Sequence, residues 1–183
     1  EYEAMSILTM AGIQTQRGSL VHSPEEAIIA AKNIAKPVAL KIQSQDIPHK
    51  SQAGGVVLNV SGSDEVEYSF HSIQSTISEN HPTAKIEGIL VQEMSEPGLE
   101  MILGINNNDG FGPILMAGFG GVDVEKSRDV AFAPIPLDKE GCYQLLSKLR
   151  GAAILDEDKY DVPALVELME ALSTFGLANR KSI

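Results

Sequence analysis

Apolar and polar positions along this chain follow two periods, and the changes from one to the other mark its elements. Glu1 to Ala11 has the spacing of a short helix, with Gly12 as its stop. Ile13 to Val21 is extended and leads into Ser23-Pro24-Glu25-Glu26, a capping box with Ser23 as N-cap and Pro24 at the first helical position. The helix that follows runs to about Ala35 and puts Ala27, Ala30, Ala31 and Ile34 on one face, small residues suited to close packing on a sheet. Pro37–Ile42 and Val56–Val60 are strand-like and flank a polar loop. Val66, Phe70, Ile73 and Ile77 predict a helix from about Ser63 to Glu79. Ile86–Met94 and Gly98–Ile105 are predicted as paired strands broken by Ser95-Glu96-Pro97. Asn106–Gly110 predicts a turn, Pro113–Ala117 a strand interrupted by Gly118–Gly121, and Val130–Phe132 another strand. The last third is helical, with one stripe at Cys142, Leu145, Leu146 and Leu149. A second lies at Leu165, Leu168, Met169 and Leu172, with Asp161 as a cap ahead of Pro163.

Composition narrows the class. With 183 residues, 43% hydrophobic and 21% charged, the chain can build a core as one large domain or two small lobes. Its net charge of −11 argues against nucleic acid or an anionic membrane as the main partner, so a site for an anion must gather positive charge locally. One cysteine, Cys142, allows no intrachain disulfide and fits a reducing, cytoplasmic compartment. No apolar run approaches the ~18 residues of a membrane span. The chain opens on Glu1 and is expected to be a piece of a longer protein. The likeliest passage between lobes is at Ser95–Gly98, giving 1–95 and 96–183.

Candidate chemistry gathers around Lys41–Val60. Lys41 stands among apolar strand neighbours, and the loop beyond it carries His49-Lys50 and then Gly54-Gly55. Lysines neutralise polyphosphate oxygens, and glycines let backbone N–H groups approach them. A neutral imidazole can also accept a phosphoryl group. Taken alone, Lys41 reads as a strand-end lysine reaching solvent and His49 as a solvated loop residue; the hairpin around them changes that reading. Val91-Gln92-Glu93-Met94 could border a flat heterocycle, with Glu100 bonding a sugar diol, or could be an ordinary core strand. Glu125 and Asp129, four apart, could orient a metal or a catalytic group if helical, or be solvated. Neither GxxxxGK[ST] nor a GxGxxG following a strand is present.

Several motifs in order carry a resemblance over about Tyr2 to Leu177. They are Pro37-Val38-Ala39-Leu40-Lys41-Ile42, Asp46-Ile47-Pro48-His49-Lys50-Ser51 with Gly54-Gly55-Val56, Gly88-Ile89-Leu90-Val91-Gln92, Phe111-Gly112-Pro113 through Gly121, Asp129–Pro134 and Leu149-Arg150-Gly151. The sequence resembles the ATP-grasp domain of NDP-forming acyl-CoA synthetases, the ADP-forming acetate–CoA ligase type related to the succinyl-CoA synthetase beta subunit. The resemblance implies an α+β ATP-grasp fold with ATP in a cleft between two lobes. It implies that Lys41 and Lys50 contact phosphate, that the hairpin with Gly54 and Gly55 covers it, that Val91 to Met94 border adenine, and that Glu100 lies near the ribose. Phosphoryl would pass between Mg2+-ATP and an acyl phosphate through phosphohistidine, carried by a histidine in the CoA-binding part, with His49 matching a second histidine, in the hairpin, that is implicated in some members.

The family's acidic-x-Asn-Pro strand, whose Asp and Asn bind Mg2+, is not within these 183 residues. Metal ligands are therefore expected beyond the C-terminus, and the fragment alone is expected to be inactive. CoA-binding and ligase domains, or a partner subunit, would supply the sites for CoA and the carboxylic acid, in an oligomeric full enzyme. The alternative is a non-catalytic regulatory module of a protein lysine acetyltransferase.

Overall fold

The computed structural model describes residues 1–108, 110–121 and 129–182. The chain divides into two compact units, Glu1–Thr9 with Thr15–Glu96, and Met10–Gln14 with Pro97–Ile183. The architecture is α+β.

The first unit holds helix α1 (Tyr2–Met10), strand β1 (Gly18–Val21), α2 (Pro24–Ile34), β2 (Val38–Gln43), β3 (Val56–Val60), α3 (Ser63–Asn80) and β4 (Gly88–Glu93). The capping box forms at α2: Ser23 Oγ accepts from the Glu26 N–H, and Glu26 reaches back to the N–H of His22, one residue earlier than the motif's usual target. Ala35 ends the helix in the left-handed region. The strands form one antiparallel sheet in the order β1-β4-β2-β3, with β4 paired on both edges. The core comprises Ala27, Ala30 and Ile34 from α2, Val66, Phe70, Ile73 and Ile77 from α3, and Val38, Leu40, Ile42, Ile89 and Val91 from the strands. Burying each large aliphatic or aromatic side chain contributes about 1.5–3 kcal/mol. Strand alternation then places the intervening residues, Ala39 and Lys41 of β2 and Gln92 of β4, on the face away from that core.

β4 and β5 are not the predicted pair. β1 and β2 occupy both edges of β4, while β5 belongs to a different sheet. The two strands are close in sequence, but Ser95-Glu96-Pro97-Gly98 makes a passage between units and not a hairpin turn.

The second unit contains β5 (Met101–Asn108), β6 (Gly112–Phe119) and β7 (Val130–Pro134) in an antiparallel sheet of that order. Helices α4 (Lys139–Ser147) and α5 (Val162–Ala178) follow, separated by a 3-10 turn at Ala152–Ile154. The β5–β6 turn is closed by Asn108 Oδ1, which accepts from the N–H groups of Gly110 and Phe111. β6 runs through Gly118 instead of stopping there, paired with Ile102 of β5 and Val130 of β7, and a Cβ at that point would lie 2.8 Å from the Asp129 carbonyl oxygen, so glycine keeps the ladder intact. Asp138 and Asp161 cap α4 and α5 through the N–H groups of Gly141 and Ala164. The core joins Leu115, Ala117, Ala131 and Ala133 to Cys142, Leu145, Leu149, Val166 and Met169. No helix among the described residues is long and apolar enough to cross a membrane.

Candidate functional site

The away face of the first sheet carries the site. Lys41 stands opposite Leu90 on one side and Val56 on the other, so Gln92 is its diagonal neighbour on β4. Lys41 Nζ donates to Gln92 Oε1 at 2.7 Å and to Glu1 Oε1 at 2.9 Å. Lys50 Nζ donates to the other carboxylate oxygen, Glu1 Oε2, also at 2.9 Å. Gln92, only 6% exposed, passes its amide protons on to Gln16 Oε1 and Met5 Sδ, and Gln16 in turn donates to Ser95 Oγ. A network satisfied in this way fixes the ammonium in place.

The loop between β2 and β3 is built, not slack. Ile47 is buried in the core and Asp46 Oδ2 accepts from the Lys85 N–H at 2.7 Å, which anchors one limb. The N–H groups of Ala53, Gly54 and Gly55 go to the carbonyls of His49, Ser51 and Lys50, winding 49–55 into a compact turn. Lys41, His49, Lys50 and Ser51 thereby line one concavity of about 610 Å³, with Val56 and Leu58 as an apolar wall and Glu1 between the two lysines. His49 is exposed, and its ring has no hydrogen-bond partner among the described residues. A separate cavity of about 390 Å³, near the end of α2 and the start of α3, brings Lys32 and Lys36 to an apolar floor without a histidine or a carboxylate.

The Glu1 carboxyl feels opposing influences. Burial alone pushes its pKa up, but the hydrogen bonds and charges of Lys41 and Lys50 together outweigh that and hold it at about 2. It is ionised at neutral pH, and the cluster carries one net positive charge.

The other sequence-predicted residues fall elsewhere. Gly54 and Gly55 are outside the concavity's lining, and their N–H groups are spent within the loop. Gly54 has φ +75°, and a Cβ on Gly55 would collide with Ile42 Cγ2, so the fold favours glycine at both positions. Val91 is fully buried in the core, and Gln92 faces Lys41. Glu93 accepts from Arg17 Nε and pairs with Lys36, both at 2.8 Å. Met94, half-buried, donates its N–H to the Pro37 carbonyl. Glu100 lies in the second unit, where its carbonyl accepts from Gly120. Asp129, ahead of β7, accepts from the N–H groups of Arg150 and Gly151, each at 2.8 Å. Those bonds, the Arg150 amide first, hold its carboxyl below its usual range. Glu125 lies outside the described residues. Among the described residues no group of three His, Cys, Asp or Glu side chains is arranged to hold a metal ion.

Sequence reasoning missed Glu1 as a member of the lysine cluster and Gln92 as its anchor. Alternation could have found Gln92, which must share a face with Lys41 if Leu40 and Val91 are core. Nothing in the spacing points to Glu1, forty residues before its partner.

Comparison with known proteins agrees with this architecture. The ATP-grasp domain family matches residues 1–179. Acetate–CoA ligase (ADP-forming) II of Archaeoglobus fulgidus is 36% identical over 186 residues, covering 100% of this chain and 26% of that protein. The beta subunit of acetate–CoA ligase (ADP-forming) II from Pyrococcus furiosus is 32% identical, covering 94% of this chain and 75% of the subunit. Among solved structures, the dinucleotide-forming acetyl-coenzyme A synthetase 1 of Ca. Korarchaeum cryptofilum, in complex with coenzyme A, Ca-AMPCP and HgCl+, superposes with a TM-score of 0.92. It is 34% identical, covering 98% of this chain and 80% of that one. The chain thus spans about a quarter of the Archaeoglobus relative and three quarters of the Pyrococcus beta subunit. On the match over residues 1–179, this chain belongs to the ATP-grasp domain family.

Proposed function

We propose that this chain is the nucleotide-binding part of an ADP-forming acid–CoA ligase, with 1–95 and 96–183 as its two lobes. Its role is to bind Mg2+-ATP and to support phosphoryl transfer towards an acyl phosphate. The observation that carries the reading is the convergence of Lys41, His49 and Lys50 on one concavity. Two ammonium groups on a partly shielded surface suit a polyphosphate, whose charge they offset in ground and transition states alike. His49 is the nucleophile of the site: its neutral ring nitrogen attacks phosphorus, the bond to the leaving ADP oxygen breaks, and a phosphohistidine forms. A carboxylate oxygen of the acid then attacks that phosphorus, the phosphorus–nitrogen bond breaks, and the acyl phosphate departs, leaving His49 free again.

The donor set fits nucleotide phosphates better than a bare metal. Magnesium keeps several waters and takes phosphate oxygens readily; bound with the nucleotide and held by Asp and Asn ligands beyond residue 183, it would offset charge on the phosphates. CoA-binding and ligase parts, in the same polypeptide or in a partner subunit, would supply coenzyme A and the carboxylic acid, in a cytoplasmic oligomer. The relatives described above are ligases, and the alternative of a regulatory module draws no support from them.

The test is calorimetric titration with magnesium-ATP. Lys41→Ala should weaken binding by roughly a hundredfold, the worth of one lost charge-assisted contact. Equal affinity in the variant would remove Lys41 from the site. In the assembled enzyme, acid-labile label from γ-labelled ATP should map to the peptide carrying His49, and its absence from that peptide would remove His49 as acceptor.

A further inference from the structure

We infer that Glu1 is an internal competing anion that sets the affinity threshold of the lysine site, an inference that rests on the nucleotide reading above. Its two carboxylate oxygens sit 2.9 Å from two different ammonium groups, as two oxygens of one phosphate would. The three side chains are only 19–34% exposed, so the cluster is not a fully screened surface pair.

Donor counting shows what is left for a ligand. An ammonium has three protons to give. Lys41 commits one to Gln92 and one to Glu1, and Lys50 commits one to Glu1. Removing the carboxylate frees two donors and doubles the cluster's net positive charge, while Gln92 still holds Lys41 in place. A tethered carboxylate is also present at a high effective concentration, so every incoming anion must outcompete it. A polyphosphate can do so by charge and by number of oxygens, whereas a lone carboxylate or a small monoanion gains little over what is already there.

The geometry allows displacement without unfolding. The Glu1 carbonyl accepts from the Met5 N–H at 3.0 Å, so the backbone is pinned to α1 and the side chain alone has to swing aside. It returns to the lysines when the ligand leaves.

Titration of the full-length protein that contains this chain with magnesium-ATP and, separately, with sodium tripolyphosphate tests the inference, using wild type, Glu1→Gln, Glu1→Asp and Lys41→Ala. Glu1→Gln should bind both probes more tightly, on the order of tenfold, the effect of a unit charge a few ångströms away in a partly solvated site. Glu1→Asp, one methylene shorter and unable to span both lysines, should fall between. A gain cannot come from damage to the fold, and thermal melting of each variant checks that it folds. If Glu1→Gln binds no better than wild type while Lys41→Ala loses binding, Glu1 is not a competitor and the nucleotide reading survives. If Lys41→Ala also binds like wild type, or no chain binds either probe, the nucleotide reading falls and this inference with it.

Discussion

Glu1 and Glu93 are each gripped by two cations of the first unit, and each carboxyl is held at about 2. Glu93 takes Arg17 and Lys36, whose side chains are 57% and 48% exposed. Arg17 also donates to the carbonyl of Ile34 at the last turn of α2, and its own carbonyl accepts from the Glu93 N–H. Every part of that cluster is joined to the end of a helix or a strand, so it acts as a clamp. Glu1 takes Lys41 and Lys50, from a strand and a loop that line a concavity. The same charges therefore do different work: Lys41 and Lys50 line one concavity together with His49, whereas of the clamp's two cations only Lys36 lines a cavity, one without a histidine.

The strongest way to break the comparison is at the cations. Lys41→Ala should lower magnesium-ATP affinity by roughly a hundredfold, whereas Lys36→Ala should leave it within about twofold, because one cation faces the site and the other the clamp. Calorimetry on the two variants decides, and an equal loss in both would erase the distinction. Next in size is the pair of carboxamides. Glu1→Gln should gain affinity on the order of tenfold, while Glu93→Gln should leave affinity unchanged and lower the melting temperature by a few degrees.

Acid sharpens the contrast further. Both carboxyls have folded pKa values of about 2 against an ordinary 4.5, so each contributes stability that is present above about pH 4.5 and lost as pH falls towards 2. The stability difference between wild type and Glu93→Gln, followed by circular dichroism during denaturation at successive pH values, should shrink across that window. A constant difference would mean that the carboxylate's charge does not matter to the clamp. The smallest effect is expected at Asp129→Asn, which keeps an acceptor for one of the two N–H groups of Arg150 and Gly151. It should lower the melting temperature of the second unit only slightly and leave nucleotide affinity untouched.

Local chemistry was legible in the sequence where its cause is local. Ser23 and Glu26 lie within one helical turn, as do Asp161 and Ala164, so their caps follow from spacing alone. The lysine and histidine candidates flank one loop, and a loop pinned at Ile47 and Asp46 brings them together. Strand pairing was less legible, because β4 carries the same apolar signal whether its neighbour is β5 or β2, and burial on both edges is a tertiary fact. Gly54 and Gly55 suggested ligand contact, and the structure adds a packing reason for both that the sequence did not show: Thr76 lies against Gly54 and Ile42 against Gly55. Glu1 was invisible for a simpler reason: a salt bridge between residues forty positions apart leaves no periodicity.

The alternation of β2 has a consequence for how this sequence can change over evolutionary time. Leu40 and Ile42 face the core, and Lys41 between them faces the site. Deleting one residue from the strand would turn the whole row over, putting an ammonium among Phe70 and Ile73 and two aliphatic side chains in the concavity. Insertions and deletions should therefore be purged from Val38–Gln43 even where single substitutions are tolerated. Drift in length should collect in exposed stretches that neither unit's core holds.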